Sequence, residues 1–195
     1  MVRVIAGKAG GRKLKTIDSE GTKPTLDRVK EAMFSMLMPY VPCGTVLDLF
    51  SGNGSLGIEA LSRGAAFCVF NDRSRECVKY IKENVRTVSF EKDSEVYALD
   101  YREMLSVLKR KGEKLELILL DPPYNSGLAA EALRAVSDLG IYSGKNDEPV
   151  CIAAAEHSAE EIMPESCGVF RKMKTKTYGM IGVTLYAADG GAYLG

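Results

Sequence analysis

The chain has 195 residues with 26 basic and 26 acidic side chains, so its formal net charge at neutral pH is zero. This balance excludes a uniformly basic polymer-binding protein but leaves room for local charged patches. With 46% hydrophobic and 27% charged residues, the composition is that of a globular domain, and no apolar stretch is long enough for a secretory signal or a membrane helix. The five cysteines form no CxxC pair, so we expect reduced thiols, no metal site and a cytoplasmic location.

The first forty residues predict a basic hairpin followed by a helix. β-Branched residues at 2–6, a glycine-rich turn and a basic run at 12–16 are typical of two short antiparallel strands. From residue 26 to residue 40 apolar side chains recur at helical spacing, with Thr25 in the position of an N-cap. We therefore expect residues 1–24 to be an N-terminal basic β-hairpin appendage and residues 25–195 to be the main domain.

Beyond residue 45, short apolar runs alternate with amphipathic stretches, which is typical of a parallel sheet covered by helices on both faces. Helices are predicted at about 55–63, 74–88, 101–111 and 127–139. Strands are predicted at 46–50, 67–70, 96–99, 115–120 and 150–155, and two further strands flank a turn at 177–179. The sequence thus predicts an α/β, Rossmann-like fold with a mostly parallel sheet that ends in an antiparallel hairpin.

A glycine-rich loop follows the first of these strands. Gly52, Gly54 and Gly57 have the GxGxxG spacing in the strand, turn and helix context that dinucleotide-binding folds require. Asp48 precedes the loop, and its charge would repel a pyrophosphate, whereas the sulfonium and ammonium groups of S-adenosylmethionine suit a carboxylate. The loop therefore favours S-adenosylmethionine over NAD, although Asp48 could instead brace the loop through backbone hydrogen bonds.

Two more acids follow later strands of the predicted sheet. Asp72 comes about 20 residues after the glycines, where an acid binds the ribose hydroxyls of a nucleotide cofactor. Asp100 and Tyr101 follow the third strand, where Asp100 could accept a hydrogen bond from an adenine amine, cap a helix, or do both. These residues are candidates for binding the cofactor.

The most specific motif is Asp121-Pro122-Pro123-Tyr124, directly after an apolar run. Two prolines fix the backbone and lack N–H groups, so their carbonyls are rigid acceptors. A carboxylate, a fixed carbonyl and an aromatic ring together suit a planar base with an exocyclic amine. Accepting both N–H bonds would direct the nitrogen lone pair at a methyl carbon, and the ring would stack on the base.

The whole set of motifs resembles the RsmD family of methyltransferases. The resemblance rests on IAGKAGGRKLK, KPTLDRVKEAMFSML, LDLFSGNGSLGIEALSRGA, DPPY and KTYGMIGVTLY, which together span nearly the whole chain. It implies a class I fold with a seven-stranded sheet and transfer of a methyl group from S-adenosylmethionine to N2 of a guanine in 16S ribosomal RNA, namely guanine 966. It also implies cofactor binding by Asp48, Phe50, Ser51, Gly52, Gly54, Asp72, Asp100 and Tyr101, and guanine binding by Asp121, Pro122, Pro123 and Tyr124.

Basic residues concentrate near the N-terminus, where residues 1–30 carry eight Lys or Arg against three acids. On a neutral chain this local excess indicates contact with phosphates, and the RNA-binding candidates are Lys8, Arg12, Lys13, Lys15 and Arg28. A second cluster at 171–176 could be another RNA contact or a solvated strand. We expect the partner to be 16S ribosomal RNA in a small-subunit assembly particle and the protein to be a monomer. His157, the sole histidine, is interpreted as an ordinary surface residue.

Two other functions compete with this one. A DNA methyltransferase acting on adenine N6 or cytosine N4 would also use DPPY, but such enzymes usually carry an added target-recognition region, for which 195 residues leave little room. An NAD-dependent oxidoreductase would use the glycine loop but would leave DPPY without a role.

Overall fold

The computed structural model describes residues 2–16, 24–144 and 150–188, which fold around an eight-stranded sheet. Its strands follow the order β5-β4-β3-β6-β7-β10-β9-β8. The bounds are β3 Thr45–Asp48, β4 Phe67–Asn71, β5 Ser94–Tyr97, β6 Leu117–Leu120, β7 Ile152–Ser158, β8 Ser166–Cys167, β9 Phe170–Tyr178 and β10 Ile181–Ala188. The first five strands of the order pair in parallel and the last three are antiparallel, which confirms the predicted fold. The eighth strand, β8, is a two-residue addition to the seven predicted.

In the described part of the chain, five α-helices cover the two faces of the sheet: α1 Pro24–Leu37, α2 Ser55–Ser62, α3 Arg75–Thr87, α4 Tyr101–Lys111 and α5 Leu128–Leu139. α1, α2 and α3 pack on one face, and α4 and α5 pack on the other. The strand β6 shows why, because Leu117 and Leu119 enter the first core while Ile118 and Leu120 enter the second. The prediction of Thr25 as an N-cap was wrong, because Pro24, whose fixed φ suits the first helical turn, already lies in α1.

The N-terminal hairpin pairs β1 (Val2–Arg3) with β2 (Lys13–Leu14) and lies against α2. The buried carboxylate of Glu59 accepts hydrogen bonds from the backbone N–H groups of Ile5, at 2.7 Å, and Ala6, at 3.0 Å. Lys30 is buried and donates to the carbonyl of Arg3 at 2.6 Å, so it is a structural cation rather than part of the basic surface. The predicted boundary at residue 24 stays a prediction, and residues 17–23 lie outside the described part of the chain.

His157 is not a surface residue, and that prediction was wrong. β7 continues to Ser158, past the end of the predicted apolar run, and β10 pairs with β7 along this extension. As a result only 4% of His157 is exposed. One ring nitrogen lies 2.8 Å from the carbonyl of Ser158 and the other 2.8 Å from the hydroxyl of Thr184. Both nitrogens therefore take part in structural hydrogen bonds.

Candidate active site

A cavity of about 700 Å³ opens at the carboxyl ends of the parallel strands, where α/β folds bind their ligands. It lies where β3 and β6, which pair in parallel in the middle of the parallel part of the sheet, are followed by their loops. The lining residues come from four loops and the starts of their helices: Leu49, Phe50, Ser51, Gly52, Asn53, Ser55, Leu56, Asn71, Asp72, Arg73, Leu99, Asp100, Tyr101, Arg102, Asp121, Pro122, Pro123, Tyr124 and Leu128. Ten of the twelve residues predicted for the cofactor and the base are among them. Asp48 and Gly54 are the exceptions.

The glycine loop leaves space on the cavity side and none on the sheet side. Gly52 has φ +54°, and a side chain added there would meet no atom within 4 Å, so the loop is open to a ligand. At Gly57 in α2 an added Cβ would collide with the ring of Phe70 on β4. The first glycine thus admits a close ligand, and the last lets helix and strand approach each other, as the motif requires.

Asp48 lies beneath the loop instead of in the cavity wall. It is fully buried, and one carboxyl oxygen accepts a hydrogen bond from the N–H of Gly57 at 2.9 Å. The other oxygen, Oδ1, has no hydrogen-bond partner among the described residues. Burial raises the pKa of Asp48 to about 7. The structure thus favours the bracing role for Asp48, through the first turn of α2.

Asp72 fixes the glycine loop to the next strand. Its carboxylate accepts from the N–H of Gly52 at 2.9 Å and from the N–H of Ser74 at 2.8 Å. Asn71, which the sequence reading missed, joins the neighbouring loops, because its amide group donates to the carbonyls of Leu49 and Leu99. A polar residue buried at the end of an apolar strand was the available signal for Asn71.

Asp100 and Tyr101 form the start of α4 at the cavity edge. Asp100 caps the helix by accepting from the N–H of Arg102 at 3.0 Å, as one of the predicted roles requires. The Tyr101 ring packs 5.8 Å from the ring of Phe50, and its hydroxyl donates to Glu131 at 3.0 Å. The Arg102 guanidinium lies over the Tyr101 ring and pairs with the same Glu131. The two rings therefore form an aromatic wall of the cavity, and the Arg102–Glu131 pair lies at its rim.

Asp121 and Tyr124 stand on the opposite wall, after β6. Asp121 is exposed to the cavity and accepts no hydrogen bond from the described residues. Desolvation by the protein groups that line the cavity around its carboxyl group, followed by the nearby acids Glu156 and Asp48, raises the pKa of Asp121 above its usual range. Tyr124 is 44% exposed, and its hydroxyl donates to Glu156 at 2.7 Å.

Glu156 is the second residue that the sequence reading missed at this site. It is 5% exposed on β7, and its pKa is raised by burial. Because Leu120 on β6 pairs with Ala155, Glu156 lies beside Asp121 at the same level of the sheet. The signal was an acid placed within an otherwise apolar strand, at 152–158.

The predicted RNA-binding residues are all exposed, but two already have partners. Arg12 donates to the carbonyl of Thr87 at 2.9 Å, and Lys15 forms an ion pair with Glu83 at 2.8 Å. Lys8, Lys13 and Arg28 complete the set. The carbonyl of Lys15 accepts from Asn53, a cavity residue, at 3.3 Å. The end of the hairpin therefore adjoins the cavity.

Within residues 2–16, 24–144 and 150–188, no three or more His, Cys, Asp or Glu side chains group together in a way that could hold a metal ion. In the same part of the chain, none of the helices has the length and apolar character needed to span a bilayer.

Comparison with known proteins identifies the family. A family model described as "Conserved hypothetical protein 95" matches residues 2–187. The chain belongs to this family, the RsmD family. Ribosomal RNA small subunit methyltransferase D of Haemophilus influenzae is 34% identical over 187 residues, covering 95% of this chain and 93% of that protein. The Escherichia coli protein of the same name is 31% identical, covering 96% of this chain and 90% of that protein.

Solved structures confirm the fold. The yhhF protein of Escherichia coli superposes with a TM-score of 0.79 at 28% identity, covering 97% of this chain and 99% of that chain. A hypothetical protein of Thermus thermophilus gives a TM-score of 0.76 at 27% identity, covering 95% of this chain and 98% of that chain. The SMU.776 protein, solved with S-adenosylhomocysteine, shares the fold with a TM-score of 0.62 at 12% identity, covering 84% of this chain and 49% of that chain.

Proposed function

We propose that this protein transfers a methyl group from S-adenosylmethionine to the exocyclic N2 amine of a guanine in 16S ribosomal RNA. The observation that carries the proposal is the DPPY loop, whose Asp121 faces the cavity without a hydrogen-bond donor from the described residues. Relatives of this chain that are named ribosomal RNA small subunit methyltransferase D support the ribosomal RNA substrate. The family resemblance supports guanine 966 as the target.

The cavity residues fit S-adenosylmethionine, which supplies an electrophilic methyl group when it is bound. Gly52 leaves open space beside the loop, and Asp72 has lone pairs left for ribose hydroxyls after accepting its two backbone N–H groups. Asp100 lies at the cavity edge, where it can accept from the adenine amine. Asp48, beneath the loop, has a pKa of about 7, and the positive charge of the donor would favour its ionised form.

On the other wall, Asp121 and the Pro122 carbonyl accept the two N–H bonds of the target amine. This holds the amine with its lone pair directed across the cavity, and the exposed ring of Tyr124 stacks on the base. The raised pKa of Asp121 makes its carboxylate a strong acceptor, and the positive charge of the donor favours the ionised form. Asp121 is thus a catalytic residue, and it also accepts the proton that the amine loses as the N–C bond forms.

The alternatives are less well supported. An NAD-dependent oxidoreductase would leave Asp121 and the rest of the DPPY motif without a role. Asp48 and Asp72 both lie beside the glycine loop, where their negative charge would repel a pyrophosphate. A DNA amine methyltransferase would use the same loop, but the named relatives are ribosomal RNA enzymes.

The RNA partner accounts for the basic N-terminal hairpin. Lys8 and Lys13 are exposed without an ion pair in the described structure, and Arg12 and Lys15 sit beside them. Together with Arg28 they would hold phosphates near the target of a small-subunit assembly particle, with the protein acting as a monomer in the cytoplasm.

The direct test supplies the purified protein with S-adenosylmethionine and either naked 16S ribosomal RNA or small-subunit particles from cells lacking the enzyme. Mapping the modified nucleoside by mass spectrometry should find N2-methylguanine at one position. Methylation of adenine N6 or cytosine N4 instead, or stabilisation of the protein by NADH and not by S-adenosylhomocysteine, would overturn the proposal.

A further inference from the structure

The β9–β10 hairpin ends at the same edge of the sheet as the cavity. β9 runs to Tyr178 and β10 begins at Ile181, which pairs with Ser158 at the carboxyl end of β7. The turn between them is held to the loop after β7, because the N–H of Ala159 donates to the carbonyl of Met180 at 2.9 Å. The hairpin tip therefore lies next to the loop that follows β7.

That loop in turn holds the DPPY segment. The N–H of Asn125 donates to the carboxylate of Glu161 at 3.0 Å. Tyr124, Glu161 and Met180 thus belong to three loops that hydrogen bonds join in series. The hairpin tip is consequently continuous with the wall that faces the base.

Exposed apolar side chains concentrate along these three loops. Met180 is 84% exposed, Ile162 is 94% exposed and Tyr124 is 44% exposed. Among the described residues only one other large hydrophobic side chain, Met38, is exposed to such a degree, and it follows α1 at the opposite edge of the sheet. Because these side chains lie on loops that are joined to the cavity wall, they are candidates for contact with a partner that reaches the cavity.

Two cations without ion pairs lie beside the apolar tip. Lys174 and Lys176 pair across the ladder with Leu185 and Val183, and Val183 also pairs with Glu156 of β7. Because directly paired residues share a face, Lys176 stands on the face of Glu156, two strands away, which is roughly 10 Å. Both lysines are exposed, and neither forms an ion pair with a described residue.

Three acids follow β7 in the chain. Glu165 forms an ion pair with Lys172, Glu161 accepts the hydrogen bond from the Asn125 backbone, and in the described part of the chain neither these acids nor Glu160 forms an ion pair with Lys174 or Lys176. The surface therefore combines two free cations with an apolar tip.

We infer that Lys174, Lys176, Ile162 and Met180 form a second RNA-docking surface, on which the strand flanking the target base lies. The lysines contact its phosphates, and the two apolar side chains pack against bases that lose a stacking partner when the target turns into the cavity. Extruding a base costs a few kcal/mol, and apolar side chains inserted at a base step are a known means of supporting a distorted strand. This inference rests on the proposed ribosomal RNA substrate.

The lysine arm of the test uses Lys174→Ala with Lys176→Ala. RNA affinity should fall about 5- to 30-fold, and the slope of affinity against salt should shrink by about 1.4 to 1.8 for two lost phosphate contacts. The matched control is Lys92→Ala with Lys109→Ala, which removes the same charge from exposed sites at the opposite edge of the sheet. Binding of S-adenosylhomocysteine, followed by calorimetry, should be unchanged in both.

The apolar arm uses Ile162→Ala with Met180→Ala, and its control is Met38→Ala. Methylation of a target guanine held in a stem should slow about tenfold, whereas a substrate whose target guanine is already unpaired should restore most of the rate. A purely structural role would slow both substrates equally.

The outcomes separate this surface from the proposed reaction. Equal RNA affinities and salt slopes for the lysine variant and its control would overturn the surface and leave the reaction standing. Weakened RNA binding in the variant with no methyl transfer by the wild type would keep the surface and overturn the reaction.

Discussion

The acidic side chains on the two walls of the cavity differ in how many hydrogen bonds they accept from the protein. The wall with Asp72 and Asp100 is called the cofactor wall, and the wall with Asp121 and Tyr124 is called the base wall. On the cofactor wall, Asp72 accepts two backbone N–H groups and Asp100 accepts one. On the base wall, Asp121 accepts none from the described residues, and its acidic neighbour Glu156 accepts only the hydroxyl of Tyr124. The pKa of Glu156 is raised by burial, and the pKa of Asp121 is raised by desolvation within the cavity and by the nearby acids.

This difference separates two ways of preparing a site. The cofactor wall is organised by its own backbone before any ligand arrives, so its residues set affinity. The base wall keeps an acceptor that no described residue satisfies and that the proposed reaction assigns to the substrate amine, so its residues should set the rate. Substitutions on the two walls should therefore change different measured quantities.

The largest effect is expected on the base wall. Asp121→Ala should reduce methyl transfer by about two to four orders of magnitude, because it removes the acceptor that acts on the reacting amine. Cofactor affinity, measured by calorimetry, should change much less. A variant with weak cofactor binding and a near-normal maximal rate would reverse the assignment of the two walls.

Asp48 is the exception on the cofactor side, since it is buried with one oxygen unpaired among the described residues. Its pKa of about 7 exceeds its ordinary value, so the folded state binds the proton more tightly than the unfolded state. The contribution of Asp48 to the free energy of unfolding is fully present below the ordinary pKa of an aspartate, and it is lost as the pH rises through about 7. Without a ligand, the free energy of unfolding should fall by about 2–4 kcal/mol between pH 4 and pH 8 from this group.

Asp48→Asn keeps the shape and removes the charge, so denaturation across this pH range should show a flatter dependence than the wild type. Asp93→Asn, at an exposed position beside β5, is the control and should leave the slope unchanged. If Asp48→Asn shows the wild-type slope, another buried group is responsible.

Asp72→Ala should weaken S-adenosylmethionine binding by about 1.5–3 kcal/mol, the usual cost of losing a charged acceptor. Because Asp72 also holds the glycine loop through Gly52, calorimetry should be accompanied by thermal denaturation. At saturating cofactor the rate should return close to that of the wild type. An unchanged affinity would place the ribose elsewhere.

The fold was predictable because its signals are local and repeated. The apolar runs and glycines set the strands and helices, and the observed α4, Tyr101–Lys111, matches its predicted bounds. Contacts between distant residues were not predictable: Glu156 reaches Tyr124 only because β6 and β7 pair in one register, and His157 is buried only because β10 covers β7. For the same reason the sequence placed Asp48 with the cavity residues, whereas its side chain lies under the loop.

The smallest effect tests the support beneath the base wall. Tyr124→Phe keeps the ring but removes the hydroxyl that donates to Glu156, and Glu156→Gln keeps a hydrogen-bonding group without the charge. Each should lower the methylation rate about 3- to 10-fold, the scale of one hydrogen bond, with little change in cofactor affinity. Since the two side chains act through one contact, the methylation rate of the double variant should be scarcely lower than that of the less active single variant. Losses that simply multiply would mean that Glu156 and Tyr124 act independently, and that the ring of Tyr124 is held by packing alone.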